Sequence, residues 1–324
     1  MRNSLRDNPH IRPAALLAAC VLVLALADWG HGRFLSVATA FSTFEIFAMK
    51  GPVALGLGLT MMIREFDLSV IGMFSMAGCI AVLAGVHSPW LGLALAVAAG
   101  LAAGVLQGLI IVRLRLGSVG VTLGGFLIFV GVAYVLTENR SLPFENMQLA
   151  LDLKGQLAGV LSIRSLVALA LFGAAAIVAI TRVGRDVIAV GSDRRAALIA
   201  GVNVDALVIG IFTFSGACAA LSGALLSYSL ATASVTAVSV IIVPAAAAAI
   251  LGGVSLAGGT GRPLGIALGA LVLAVLSTGF NAVGAPPYVN DIAMGAILLT
   301  VAILDATHFR LRFASHRGGR AVPQ

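Results

Sequence analysis

Ten apolar runs, at 13–28, 51–63, 68–86, 90–112, 117–137, 165–181, 205–231, 238–258, 264–283 and 288–304, follow one another with short polar breaks. Most approach the roughly 20 residues that an α-helix needs to cross about 30 Å of hydrocarbon. Inside lipid every backbone N–H and C=O must be satisfied by the protein itself, which leaves helices and closed barrels. Barrel strands alternate apolar and polar residues, and these runs do not. The expectation is therefore an all-α polytopic bundle of about ten spans. Composition agrees, with 60% of 324 residues hydrophobic and 10% charged. Soluble domains carry about 25% charged residues, so a soluble enzyme, a disordered chain and a nucleic-acid binder are excluded. The 38 glycines fit close helix packing and helix breaks around a transport site.

Orientation follows from the basic residues. With the N-terminus inside, fifteen of the 20 lysines and arginines fall in inside segments, and five (Arg33, Lys50, Arg140, Lys154 and Arg164) fall outside. The positive-inside rule then places both termini in the cytoplasm. The net charge of +7 reads as topology rather than as affinity for nucleic acid. Arg2, Arg6 and Arg12 precede an apolar run ending Ala25-Leu26-Ala27, which has the look of a signal peptide. With so many later spans, we read it as an uncleaved first span. The domain expectation is a tail at 1–12, a membrane domain at 13–304 and a basic tail at 305–324, the last lying near acidic lipid. The stretch 34–49, apolar but interrupted by Ser, Thr and Glu45, is either an interfacial helix or the first part of the second span.

No catalytic, metal-binding or phosphate-loop spacing occurs, and Cys20, Cys79 and Cys218 sit apart in apolar runs. The expectation is a chain without cofactor or metal that is not itself an enzyme. Ionisable residues within a membrane are costly and mark function. Arg64, Glu65 and Asp67 cluster at a span end, with Ser69 beside them. That segment echoes Gly252-Gly253-Val254-Ser255-Leu256-Ala257 in spacing, and paired interruptions in two halves point to a transport site. Arg64, Glu65, Asp67, Ser69, Ser255, Asn281 and Asn290 are the expected path or gate residues. Charges deep in the bundle look scarce, which argues against ion coupling and for an energy source on another subunit. The inside loop 182–204, with a short helix expected around 194–199, is the candidate docking element. Its residues are Gly191, Asp193, Arg194, Arg195, Ala196, Ala197, Gly201 and Asn203. The outside loop 138–164 is of mixed charge and suited to an external partner.

At this inside loop the chain also becomes recognisable. Thr181-Arg182-Val183-Gly184-Arg185, Ala189 through Ala197 and Gly201-Val202-Asn203-Val204 resemble the ribose-type sugar permeases of bacterial ABC importers. Ile250 through Arg262 is similar to a second block of that family, Phe66-Asp67-Leu68-Ser69-Val70 to a third, and Val121-Thr122-Leu123-Gly124 to a fourth. The resemblance runs from about residue 50 to Asp305. It implies a bacterial inner-membrane permease working as a homo- or heterodimer with a second permease subunit. Two cytoplasmic ABC ATPase subunits and a periplasmic sugar-binding protein would be its partners, with Gly191–Asn203 as the ATPase-coupling element.

The chain departs from the family in places. Arg64-Glu65 stands where the family has Gly-Gly, Ile71 follows the Val, Ile242-Val243-Pro244 replaces acidic positions, and Asn290 replaces a frequent Gln. These departures fit one half of a heterodimer whose sister keeps the usual residues. The implied cargo is a monosaccharide or related polyol. A permease for nucleosides or a signalling furanose, an ion-coupled carrier and a membrane subunit without a path are the alternatives.

Overall fold

The computed structural model describes residues 11–30, 32–157, 159–235, 241–300 and 303. The expected tails therefore lie outside the described residues, apart from residues 11 and 12 of the first. Twelve named helices and one small sheet follow in order: α1 (Ile11–Ala27), α2 (Val37–Met62), α3 (Val70–Ala84), α4 (Pro89–Leu114), α5 (Ser118–Thr137), β1 (Leu142–Pro143), α6 (Met147–Lys154), α7 (Ile163–Ala179), α8 (Arg182–Ser192), α9 (Arg194–Ile199), α10 (Val204–Ser229), β2 (Thr232–Ala233), α11 (Ile242–Leu251) and α12 (Pro263–Ala282). Residues 287–300 form a last helical stretch. Helices α2, α4, α5, α10 and α12 are each long and apolar enough to cross a membrane. So is α7 taken with α8, across a 77° bend, whereas α1, α3 and α11 are shorter apolar helices.

Helix α2 resolves the open question about 34–49. The short run 51–63 and the stretch before it are one helix of 26 residues, about 39 Å long. Each polar residue that interrupts the apolar pattern has a partner. Ser36 caps the helix by accepting from Thr39 N–H. Thr43 Oγ1 bonds the Thr39 carbonyl and meets Thr278 Oγ1 of α12, each at 2.8 Å. Glu45 pairs with Arg164. Pro52 sits inside the helix without ending it, as neighbouring helices permit in a membrane. This corrects two sequence expectations. Lys50, counted as an outside residue, lies within α2 about 20 Å from its start. Charge deep in the bundle is therefore not as scarce as the segment count implied.

Helices α2, α3, α4 and α10 form the centre. Gly100, Gly104 and Gly108 of α4 repeat at every fourth position and face α10. A Cβ at Gly100 would stand 2.5 Å from the Gly216 carbonyl oxygen, and one at Gly108 would stand 2.8 Å from Ile209 Cα. This is the small-residue packing that lets membrane helices approach closely. The expected span 238–258 begins in residues outside the described set, and its helix ends earlier than expected. Its described helix, α11, has ten residues, about 15 Å. It stops at Gly252-Gly253, where Gly253 turns with φ +90°, and a non-helical loop runs on to α12.

Segments expected on one side of the membrane meet at one end of the bundle. The start of α5, the α8–α9 elbow and the loop 252–262 all meet the end of α2 and the break 63–69 that follows it. Segments expected on the other side meet at the opposite end. There β1 pairs antiparallel with β2, Leu142 opposite Ala233 and Pro143 opposite Thr232. The Phe144 ring packs on Tyr228 at 4.6 Å, and Tyr228 Oη bonds the carbonyls of Ala81 and Pro89. Exposed Trp29, Trp90 and Tyr288 all fall at that end, where aromatic side chains favour a membrane interface.

Candidate functional site

The inside loop folds as an elbow of two short helices, α8 and α9, joined at Asp193. Asp193 caps α9, its Oδ1 accepting from Arg195 N–H at 2.8 Å and Ala196 N–H at 3.0 Å. These bonds, with the nearby charges of Arg64 and Arg195, hold its carboxyl below the usual range. The other end closes as a Schellman turn, with Val202 N–H bonding the Ala197 carbonyl and Gly201 N–H bonding the Leu198 carbonyl. Gly201 takes φ +83°, where a side chain would be strained. Asn203 then caps α10 by accepting from Ala206 N–H. Ala197 is buried, whereas Arg195, Ala196, Leu198 and Ile199 are exposed.

The elbow is locked to the α2–α3 break. Arg64 Nη2 donates to the Ser192 carbonyl at 2.7 Å. Arg194 Nη1 pairs with Glu65 Oε1 at 2.9 Å. Gly191 lies so close to the end of α2 that an added Cβ would overlap the Met62 carbonyl oxygen and stand 2.5 Å from Gly259 N. That same Met62 carbonyl accepts from Gly259 N–H at 2.9 Å. Three segments far apart in sequence thus share one junction. Arg64 and Glu65, expected in the gate, and Arg194, expected in the coupling element, belong to it together. Ser255 lies in the loop that joins them, its Oγ accepting from Ala257 N–H.

Asp67 and Ser69 occupy a different place. Both are buried behind the junction. Asp67 Oδ1 accepts from Ser69 N–H at 3.0 Å and Ser69 Oγ at 2.6 Å, and its Oδ2 accepts from Ser215 Oγ of α10 at 2.7 Å. Ser69 Oγ also lies 2.9 Å from the Gln107 side-chain amide of α4. A hydroxyl has one proton, and the carboxylate takes it. The amide is then satisfied by presenting its nitrogen to Ser69 Oγ, which also gives Gln107 Nε2 the partner it otherwise lacks. From α5, Ser118 Oγ accepts from Phe66 N–H and Thr122 Oγ1 accepts from Leu68 N–H, each at 3.1 Å. The Asp-Leu-Ser and Thr-Leu-Gly blocks, apart in sequence, are therefore one unit that satisfies the backbone of a broken helix.

The remaining expected residues lie at the opposite end. Asn290 accepts from Ser277 Oγ at 3.1 Å, tying the last helical stretch to α12. Asn281 is exposed near the end of α12. Sequence reasoning missed a buried ion pair at that end. Arg164 Nη2 lies 2.8 Å from Glu45 Oε2. Ser162 Oγ donates to the same carboxylate, and Arg164 also bonds Ser229 Oγ. The available signal was Glu45 itself, an acidic residue within an apolar stretch. Among the described residues no group of His, Cys, Asp and Glu could hold a metal.

A family model described as "Branched-chain amino acid transport system / permease component" matches residues 33–302. The chain belongs to this permease family. It is 28% identical to the ribose import permease protein of Escherichia coli K12 over 296 residues, covering 89% of this chain and 92% of that one. It is 30% identical to the autoinducer 2 import system permease protein of Photorhabdus laumondii over 329 aligned positions, covering 99% and 95%. The corresponding Escherichia coli protein is 30% identical over 317, covering 95% and 90%. No solved structure matches the chain. The family and its apolar helices make this a multi-pass inner-membrane permease of the sugar ABC importer type.

Proposed function

We propose that this chain is the membrane path of an ABC importer that carries a monosaccharide or related polyol. Separate cytoplasmic ATPase subunits drive it, a periplasmic binding protein loads it, and a second permease subunit completes the path. The observation that carries this reading is the junction. An elbow with an exposed, capped knuckle at Arg194–Ile199 is locked both to the α2–α3 break and, through Met62 and Gly259, to the α11–α12 loop. A push on the knuckle from the cytoplasm is delivered to two helix breaks at once, and interrupted helices are what membrane transporters build their paths around. Gly191, Asp193, Gly201 and Asn203 keep the elbow rigid, Arg194 and Arg64 transmit its motion, and Arg195, Ala196 and Leu198 meet the ATPase. Asp67 and Ser69 hold the broken segment to α4 and α10.

The ten spans are α1, α2, α3, α4, α5, α7, α10, α11, α12 and the last helical stretch, with α8 lying along the cytoplasmic surface. This keeps both termini inside, with residues 1–12 and 305–324 flanking a membrane domain. A second reading of the cargo, a signalling furanose, draws on the autoinducer 2 permeases, which align with more of this chain than the ribose permease does.

The test is uptake of labelled monosaccharides into proteoliposomes holding the complete importer. Uptake that requires ATP and the binding protein, and that fails when Arg194 and Arg195 are both changed to Glu, is expected. Uptake driven by an imposed ion gradient without the ATPase subunits would overturn the reading.

A further inference from the structure

Near the outer ribbon lies a polar feature that neither the junction nor the ion pair uses. A cavity of about 80 Å³ opens between α3, α10 and the segment containing β2. Ser75, Ser227, Thr232 and Ser234 supply its hydroxyls, and Phe74, Leu226 and Leu230 supply its apolar wall. Among the described residues no charged side chain lines it. At about 10–15 Å³ for each water centre, it holds several waters or one edge of a monosaccharide, about five to eight oxygen positions in all.

Ser75 is 4% exposed, and its Oγ has no hydrogen-bond partner among the described residues. Hydroxyls in apolar helices ordinarily bond a carbonyl three or four residues back. Thr43, Thr213 and Thr278 do so here. Ser75 has the same carbonyls available in α3 and turns to none of them. With the Gln107 amide oriented toward Ser69, Ser75 Oγ is, among the described residues, the buried hydroxyl left without a partner. A buried polar group in that state is costly unless something arrives to bond it.

The surroundings say what arrives. Hydroxyls on one side and carbon surface on the other suit a neutral polyol, whose own surface is divided in the same way. A charge-free lining gives an ion nothing to replace its water. The cavity also lies beside the ribbon, since Thr232 pairs with Pro143 and Phe144 N–H bonds the Ala231 carbonyl at 2.9 Å. The segment expected to meet the external partner therefore lies directly against its rim.

We propose that this cavity is a polyol-contacting subsite at the outer mouth of the permease. Ser75, Ser227, Thr232 and Ser234 take the hydroxyl edge of a neutral monosaccharide, and Phe74 faces its carbon edge. The proposal rests on the sugar-import reading above and adds to it a place and a set of contacts.

The test uses the complete importer in right-side-out vesicles, with Cys20, Cys79 and Cys218 replaced by Ala. Ser75→Cys and Ser227→Cys are introduced separately and treated from outside with a small, neutral, hydrophilic methanethiosulfonate. Both are expected to be modified, and a monosaccharide that the same vesicles take up is expected to slow modification at least fivefold. Val86→Cys, exposed at the end of α3, is expected to react at a rate the sugar does not change. In parallel, Ser75→Ala and Ser227→Ala are expected to raise the KM for uptake about three- to tenfold. Modification unaffected by the transported sugar, or no modification together with unchanged KM in both alanine variants, would overturn the subsite while sugar import stood. Vesicles that take up no monosaccharide would overturn the import reading first, and the subsite with it.

Discussion

The Arg194–Glu65 pair should be measurable as a coupling energy between the elbow and the helix break. Two unit charges 2.9 Å apart attract by about 6 kcal/mol at an effective dielectric of 20. Most of that is lost to desolvation and salt, and exposed pairs retain at most about 1 kcal/mol. Here the Arg194 side chain is 46% exposed, but the Glu65 side chain only 12%. A net value near the top of that range, about 1 kcal/mol, follows, because Glu65 keeps little water to replace its partner. At 1.4 kcal/mol per factor of ten, Arg194→Ala should reduce the locked elbow about fivefold. Arg194→Glu should do more, by setting two carboxylates against each other. The assay is sugar molecules imported per ATP hydrolysed by the reconstituted importer. Either single change should lower that ratio, with ATP hydrolysis retained and chain insertion unaltered. The exchanged pair Arg194→Glu with Glu65→Arg should recover much of it, less completely at high salt. A double variant no better than Arg194→Glu alone would show that the pair transmits nothing, and would remove the lock from the mechanism.

Other consequences follow from the same geometry. Gly191→Ala should disrupt the junction, since its Cβ would overlap the Met62 carbonyl and neither backbone can yield; a loss of about 1–3 kcal/mol, the range for overpacking, should appear in thermal unfolding of the purified chain. Thr122→Val should leave Leu68 N–H unsatisfied and cost about 1–3 kcal/mol, while Thr122→Ser should keep nearly wild-type thermal stability. Asp193 has a folded pKa below its unfolded one, so its cap is fully present above the ordinary carboxylate range and is lost only as pH falls through the lower folded value. Hydrogen-exchange protection of 194–199, corrected for intrinsic rates, should therefore stay level from pH 8 to about pH 5, and weaken across that range in Asp193→Ala relative to wild type.

The elbow and the broken segment differ in how much of them could be read from the chain. The elbow was legible because its signals are local. An Asp before a helix-forming run, a Gly after it and an Asn before the next apolar run specify caps within a few residues of each other. The short helix expected around 194–199 has those bounds. The lock was not legible, because Arg64 and Glu65 lie about 130 positions from their partners and no rule of spacing reaches so far. The same limit explains Glu45. Read alone it was an interruption in an apolar stretch, and only Arg164, Ser162 and Ser229 arriving from two other helices make it compatible with helix α2.

Arg64 has two local consequences that nearly balance. Arg64 sits at φ +64°, a left-handed conformation that glycine adopts freely and that costs an arginine about 1–2 kcal/mol. Its charged hydrogen bond to the Ser192 carbonyl returns up to about 1.5–3 kcal/mol, less where water competes. Arg64→Gly should consequently change stability by under about 1 kcal/mol, since strain and bond are lost together, yet it should loosen the elbow. Near-native unfolding combined with a lowered ratio of transport to ATP hydrolysis is the expected pair of results. A large loss of stability would mean the left-handed turn carries no strain. Unchanged coupling in both Arg64→Gly and Arg194→Ala would mean the elbow is held by the packing of Gly191 against Met62 and Gly259.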